Sequence, residues 1–254
     1  MSTFQRFLQK EQHFSFEASS STTNRRIGLV QLATDYTLEN EWRTHLPDDI
    51  ELYTSRFYTT GHVTIEHLLA MQDGIGSAAE LLVPGWELDV LAFGCTSASL
   101  LIGDPKVHVA LTHQRPSKPS TNPWRSSMEA LKALGAKRVA MLTPYTSKVN
   151  FPLYQGITNE GLDVVSFGAF QVEEDPEIPP IPRESIMSAS KNICIGADAL
   201  FISCTNLRVM GLIEELEQDL GIPVVTSNQA MLWHALRLAG DCRPIYRLGR
   251  LFRQ

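Results

Sequence analysis

Two cysteines sit at the end of one repeated pattern. Asp89-Val-Leu-Ala-Phe-Gly-Cys95-Thr-Ser-Ala-Ser99 and Asp198-Ala-Leu-Phe-Ile-Ser-Cys204-Thr-Asn206 both read Asp-x-Leu-x-x-x-Cys-Thr. In each, an apolar run of strand length ends in a thiol. After Cys204, Leu207, Met210, Leu212, Ile213, Leu216 and Leu220 recur at roughly helical spacing, which predicts strand, tight turn and helix with the cysteine at the turn. A thiol between a parallel strand and the start of a helix meets unpaired N–H groups and the positive end of the helix dipole. Its pKa is therefore expected to fall toward neutrality, giving a usable thiolate. A single cysteine behind an apolar strand reads as a buried small hydrophobe; the repetition is what points to chemistry.

The elements around the cysteines repeat as well. Ile27–Asp35 with Tyr36 and Thr37 has a counterpart in Arg138–Thr146, and Ile50–Phe57 answers Asp163–Phe170. A repeat of this length implies an α/β fold of two similar Rossmann-like lobes with parallel sheets. A pseudo-twofold axis between them would bring the strand-end cysteines face to face across a cleft. The expected division is a mobile leader over 1–24, a first lobe over 25–118 plus 229–254, and a second over 119–228.

In chain order, strands are expected at Ile27–Leu32 and Glu51–Phe57, with a helix near Leu38–Arg43 between them. Helical periodicity runs from Thr64 to Leu82, with Gly74 and Gly76 as the expected break. Beyond Cys95 a short helix ends near Gly103-Asp-Pro105, and Val107–Leu111 reads as a strand. Asn122-Pro123 is a helix start and Gly135 its C-cap. A strand at Val139–Leu142 follows, with Pro152 at the beginning of another helix. The acid- and proline-rich stretch from Glu173 to Pro182 is expected to be a solvated, lid-like loop, and Glu184–Ile195 a helix. Near the end, Val224–Thr226 leads into Ser227 and Asn228 and a last helix. These two residues serve either as an N-cap or as a seat for a small carboxylate. His234 reads as a packed core histidine, and Arg208 as a surface charge or a group that steers an anion.

The chain of 254 residues is 43% hydrophobic, enough for a sizeable core, with 28 acidic and 22 basic side chains. Nothing in that balance suggests a nucleic-acid surface. No apolar run is long enough to span a bilayer, and no hydrophobic signal core opens the chain, so a cytoplasmic protein is expected. The four cysteines, Cys95, Cys194, Cys204 and Cys242, form no CxxC pair and have no histidine at zinc-ligand spacing, so neither a metal site nor a disulfide framework is expected.

The paired GCTSAS and SCTNLR motifs, the TPY turn ending at Tyr145, and the closing PVVTSNQAMLWHALRLAG resemble the Asp/Glu racemase superfamily. The likeness is to the branch of maleate cis-trans isomerases, arylmalonate decarboxylases and racemase-like proteins of ectoine-utilisation operons. It implies a ligand between two four-stranded lobes, no cofactor, and a homo-oligomer, dimer or tetramer. It also implies catalysis by Cys95 and Cys204. Substrate contacts are expected from Asp35, Thr96, Ser97, Tyr145, Thr205, Asn206, Ser227 and Asn228, with a packed aromatic as the other reading of Tyr145.

Two opposed thiols can take a proton from a carbon beside a carboxylate and return one on the other face. In the isomerase version one thiolate adds to an alkene, the new single bond rotates, and elimination follows. Arylmalonate decarboxylases keep a thiol only at the position of Cys204, so Cys95 argues against simple decarboxylation. Maleate isomerases place asparagine where this chain has Asp35; an anionic side chain there disfavours a dicarboxylate and suits a ligand bearing an amine or amidinium. The expected activity is therefore racemisation of a small amino-acid-like or compatible-solute-derived acid. Cis-trans isomerisation is the first alternative, and decarboxylation or simple ligand binding a more distant one.

Overall fold

The computed structural model describes residues 1–17 and 24–254. Near the N-terminus α1 (Thr3–Leu8) is closed by a capping box on Ser2 but buries no residue, and Phe14 and Phe16 are exposed. Most of the Ser/Thr-rich stretch of the expected leader, 18–23, lies outside the described residues.

Beyond it the same topology is built twice. In the first half, β1 (Arg25–Leu32), α2 (Leu38–His45), β2 (Ile50–Phe57), α3 (Ile65–Ala70), α4 (Gln72–Glu80), β3 (Val90–Gly94), α5 (Thr96–Ile102), α6 (Asp104–Thr112) and β4 (Ser120–Thr121) give a sheet ordered β2-β1-β3-β4. After α7 (Pro123–Ala133), the second half contains β5 (Arg138–Tyr145), α8 (Ser147–Asn159), β6 (Asp163–Val172), α9 (Arg183–Ile193), β7 (Ala199–Ile202), α10 (Ile213–Leu220), β8 (Val224–Thr226) and α11 (Ser227–Leu238). Its sheet is ordered β6-β5-β7-β8. All pairings are parallel. Parallel strands covered by helices on both faces need apolar side chains throughout, and every residue of β3 and β7 is buried. In each half, the cysteine strand lies beside the central strand.

Several elements differ from the sequence reading. Val107–Leu111 is helical, not a strand: Asp104 and Pro105 start α6, and Val107 and Leu111, one turn apart, are its buried contacts. The fourth strand is instead Ser120–Thr121, so the first sheet runs past residue 118. The tail is shared between the lobes, because the 3₁₀ turns Tyr246–Leu248 and Arg250–Arg253 pack on α10 and β8. The break between α3 and α4 falls at Met71. Gly74 lies inside α4, where a Cβ would stand 2.5 Å from the Phe57 ring, so glycine there allows the helix to approach β2. Pro152 lies inside α8 rather than at its start. Gly135 does follow α7 with φ +70°, as a C-terminal cap requires.

Gly94 is the last strand residue before Cys95. A Cβ on it would meet Leu38 Cδ2 at 2.3 Å, and Leu38 is fully buried. Gly94→Ala should cost about 1–3 kcal/mol in urea unfolding, while Gly211→Ala, which meets nothing within 4 Å, should be close to neutral.

Candidate active site

Cys95 is the N-cap of α5, where the expected strand–turn–helix forms. Its Sγ lies 3.8 Å from Ser97 Oγ. Cys204 departs from the expectation. After β7 the chain stays irregular until a 3₁₀ turn at Met210–Leu212, and α10 starts only at Ile213, so the helix that follows in sequence does not begin at this sulfur. The apolar spacing that predicted one helix is satisfied by a buried loop and turn ahead of α10. Glu41 of α2 fixes that segment: its Oε1 accepts from Val209 N (2.9 Å) and Met210 N (3.0 Å). Cys204 itself has φ +124°, a conformation that costs a residue with a side chain on the order of 1–3 kcal/mol. Two bonds hold it there: Cys204 N donates to Ser227 Oγ (3.0 Å), and Asn206 N donates to Cys204 Sγ (3.3 Å).

Both cysteines line one cavity. Asp35, Ser97, Tyr145, Thr205 and Asn206 of the expected set line it too, with an apolar side made by Leu32, Val63, Leu68 and Met71. Its volume is about 10 Å³, room for about one water molecule. The loops after β2 and β6, which correspond in the two halves, meet here. Val63 N donates to Glu173 O (2.9 Å) and Asp175 N to Gly61 O (2.8 Å), with His62 paired to Glu174. The stretch beginning at Glu173 is therefore not wholly solvated: Asp175 and Ile178 are buried, and Asp175 faces the cavity.

Three expected substrate contacts stand behind the cavity instead. Thr96 Oγ1 donates to Ser227 Oγ (2.8 Å), so Thr96 and Ser227 hold the two cysteine turns to each other. Asn228 Nδ2 donates to Glu41 Oε2 (2.7 Å) and Thr205 O (2.8 Å). The N-cap of α11 is Thr226, not Ser227 or Asn228. Asn206 reaches the cavity, but its amide is committed. Oδ1 accepts from Tyr36 N, and Nδ2 donates to Thr34 O and Asp175 O. His234 pairs with Thr121 Oγ1 (2.8 Å), and burial lowers its pKa, in keeping with the core reading. Asp175 and Glu41 had no motif to reveal them. The only signal was position: an acid in the loop after β6, and one on the polar face of a short helix.

The electrostatics also correct the sequence reading. Burial pushes the Cys95 thiol up to about 12, with the N–H of Ala98 and the Ser97 hydroxyl only partly opposing it. Burial raises Cys204 further, against the Tyr145 hydroxyl and the Asn206 N–H. Neither sulfur is a ready thiolate in the closed cavity. A thiolate formed there is correspondingly a strong base, which suits removal of a weakly acidic C–H proton. Burial raises Asp35, lifts Asp175 to about 6 and Glu41 to about 7. Among the described residues no group of three or more His, Cys, Asp or Glu side chains could hold a metal ion.

Two parallel α/β halves of one topology, each delivering a strand-end cysteine to a shared cavity, define a cysteine enzyme of the Asp/Glu racemase-like superfamily. The family model for arylmalonate decarboxylase matches residues 72–252. The chain is 28% identical to the maleate isomerase of Nocardia farcinica over 244 residues, covering 91% of this chain and 96% of that one. It is 34% identical to the arylmalonate decarboxylase of Bordetella bronchiseptica over 140 residues, 53% of this chain and 58% of that one. Among solved structures, a cysteine-to-serine mutant of the Nocardia farcinica maleate cis-trans isomerase, with a covalently bound succinylcysteine intermediate, aligns with TM-score 0.81 and 26% identity, covering 91% of this chain and 98% of that one. A liganded double mutant of arylmalonate decarboxylase aligns with TM-score 0.80 and 26% identity, covering 90% and 99%. The chain belongs to the arylmalonate decarboxylase family, in the branch it shares with the maleate isomerases, and is an isomerase of that superfamily. No helix among the described residues is long and apolar enough to cross a membrane.

Glu41 yields a pH prediction. Its folded pKa, about 7, lies above the ordinary 4.5, so between those values the folded chain holds a proton that the unfolded chain lacks. Stability therefore falls as pH rises through that window and stays lower above it. Glu41→Gln has no such proton, so its melting temperature should climb relative to the parent's from about pH 5 to pH 8, by the equivalent of at most about 3 kcal/mol. A constant difference would mean that Glu41 is ionised throughout.

Proposed function

We propose that this chain is a cofactor-independent racemase or epimerase that moves a proton at the carbon beside the carboxylate of a small amino-acid-like acid. The observation that carries the reading is that Cys95 and Cys204, from corresponding strand ends of opposite halves, line one cavity. The substrate carboxylate would be bound by the Ser97 hydroxyl, the first N–H groups of α5 and the Tyr145 hydroxyl. One sulfur, entering as thiolate, takes the proton: the C–H bond breaks, an S–H bond forms, and the electron pair spreads into the carboxylate as a planar enediolate. The other thiol gives its proton to the opposite face and leaves as thiolate. The two cysteines have exchanged states, and the reverse reaction uses them in the opposite order.

Covalent cis-trans isomerisation is the second reading. It is favoured by the succinylcysteine intermediate of the Nocardia farcinica relative. In that route a thiolate adds to the alkene of maleate, and the electron pair displaced onto the neighbouring carbon spreads into its carboxylate. The new C–C single bond rotates, and the pair re-forms the double bond as the thiolate leaves and fumarate is released. Two acids facing the cavity, Asp35 and Asp175, weigh against a dianionic substrate.

The experiment is turnover in deuterated water with mass spectrometry of substrate and protein. Proton transfer predicts deuterium at the reacting carbon and a loss of about 10²–10⁴-fold in kcat for Cys95→Ser and for Cys204→Ser. A mass adduct on one cysteine, with maleate turned over and no deuterium at the retained carbon, would establish the second reading instead.

A further inference from the structure

We propose that Asp35 and Asp175 together form a seat for a cationic group, so that the substrate of this site is a small zwitterion with an ammonium or amidinium beside its carboxylate. The isomerase reading locates the reacting carbon; the seat deepens that reading by naming the class of molecule that fits.

The two acids come from different halves. Asp35 follows β1, and Asp175 is carried by the segment after β6 that closes over the cavity. Asp35 is 1% exposed. Its Oδ1 accepts from Thr37 N and Leu38 N, both at 2.9 Å, whereas its Oδ2 is buried with no hydrogen-bond partner. Thr205 stands near enough to favour the ionised form without making that bond. Asp175 is 8% exposed, and its Oδ2 accepts from Thr34 Oγ1 at 2.7 Å.

Among the described residues neither carboxylate has an ion-pair partner. The guanidinium that bears on Asp35, that of Arg56, spends its N–H groups on Leu32 O, Asp35 O and the Glu39 carboxylate. His62, on the opposite closing loop, is paired with Glu174. Buried carboxylates ordinarily carry a partner of opposite charge or take up a proton. Here a ligand cation is the partner that fits, because both acids face the cavity that holds the sulfurs. The closing segment brings Asp175, so the cation would also draw the two halves together over the reacting carbon. A dicarboxylate in the same place meets two acids and must bring protons with it.

The two cases have opposite proton linkage, and calorimetry in buffers of different ionisation enthalpy reads its sign. Matched pairs that differ by one ammonium are the probes: aspartate with succinate, alanine with propionate, 4-aminobutyrate with butyrate, and maleate alongside. The seat predicts that near pH 6 at least one ammonium-bearing member binds, at least about tenfold tighter than its partner, with release of protons. Asp35→Asn and Asp175→Asn keep the acceptor oxygens and the fold, and each should erase that preference. The Cys95→Ala/Cys204→Ala variant should retain it, because the seat does not use sulfur. If ammonium-bearing members bind with proton release while no deuterium enters any of them, the seat stands and the racemase reading fails. Tighter binding of succinate, propionate or maleate with proton uptake overturns the seat, as does failure of every ammonium-bearing member to bind.

Discussion

One buried oxygen holds the two reactive turns in a fixed relation. Ser227 Oγ, with no exposed surface, accepts from Thr96 Oγ1 beside the first cysteine and from Cys204 N at the second. Each bond is worth only about 1 kcal/mol net, but an orphaned donor in this place would cost more than the bond gives. The Cys204 contact also holds a backbone at φ +124° that the helix following it in sequence does not reach. The duplicated sheets bring the cysteines to corresponding strand ends, and Ser227, at the start of the last helix, links the halves behind the sulfurs. A serine that reads from sequence as a ligand contact is therefore a structural tie.

A second set of polar residues shapes what the cavity will accept. Glu41 takes the place of the missing helix start behind Cys204 by accepting from two consecutive backbone amides. Asn206 ties the loop after β1 to the closing segment at Asp175. Burial then acts on the two thiols, the Tyr145 phenol and the carboxyls of Asp35 and Asp175 in one direction, favouring the neutral form of each. A closed site of this kind keeps protons on its sulfurs. Chemistry that shuttles a proton between carbon and sulfur is suited to such surroundings, because the one sulfur that enters as thiolate is a strong base there.

Much of this was legible in the residues because parallel strands leave a plain record. β3 and β7 are buried on both faces, so they must be apolar end to end, and the cysteine closing each run marks where the strand stops. The duplication came through for the same reason, since each half repeats the run of central strand, second strand and cysteine strand. Short-range patterns were weaker guides. Val107–Leu111 contains two valines and a leucine yet is helical, since Pro105 fixes a helix start and residues one turn apart do the packing. Ser120–Thr121 is a two-residue edge strand with no apolar signature. The spacing after Cys204 suggested continuous helix because a buried irregular loop also needs apolar side chains. Asp175, Glu41 and the commitments of Asn206 depend on contacts 31 to 172 residues apart in the chain, which no local pattern encodes.

The closed cavity also bears on how the sulfurs fare in the presence of oxidants. Cysteine oxidation follows thiolate character and access. Cys95 and Cys204 are buried, protonated, and enclosed in a space that holds about one water, so peroxide or an alkylating reagent reaches neither until the paired loops part. Cys242, by contrast, lies exposed in the tail. The first equivalent of a thiol reagent will therefore report on the tail, and in a Cys194→Ser background slower labelling will time the opening of the site.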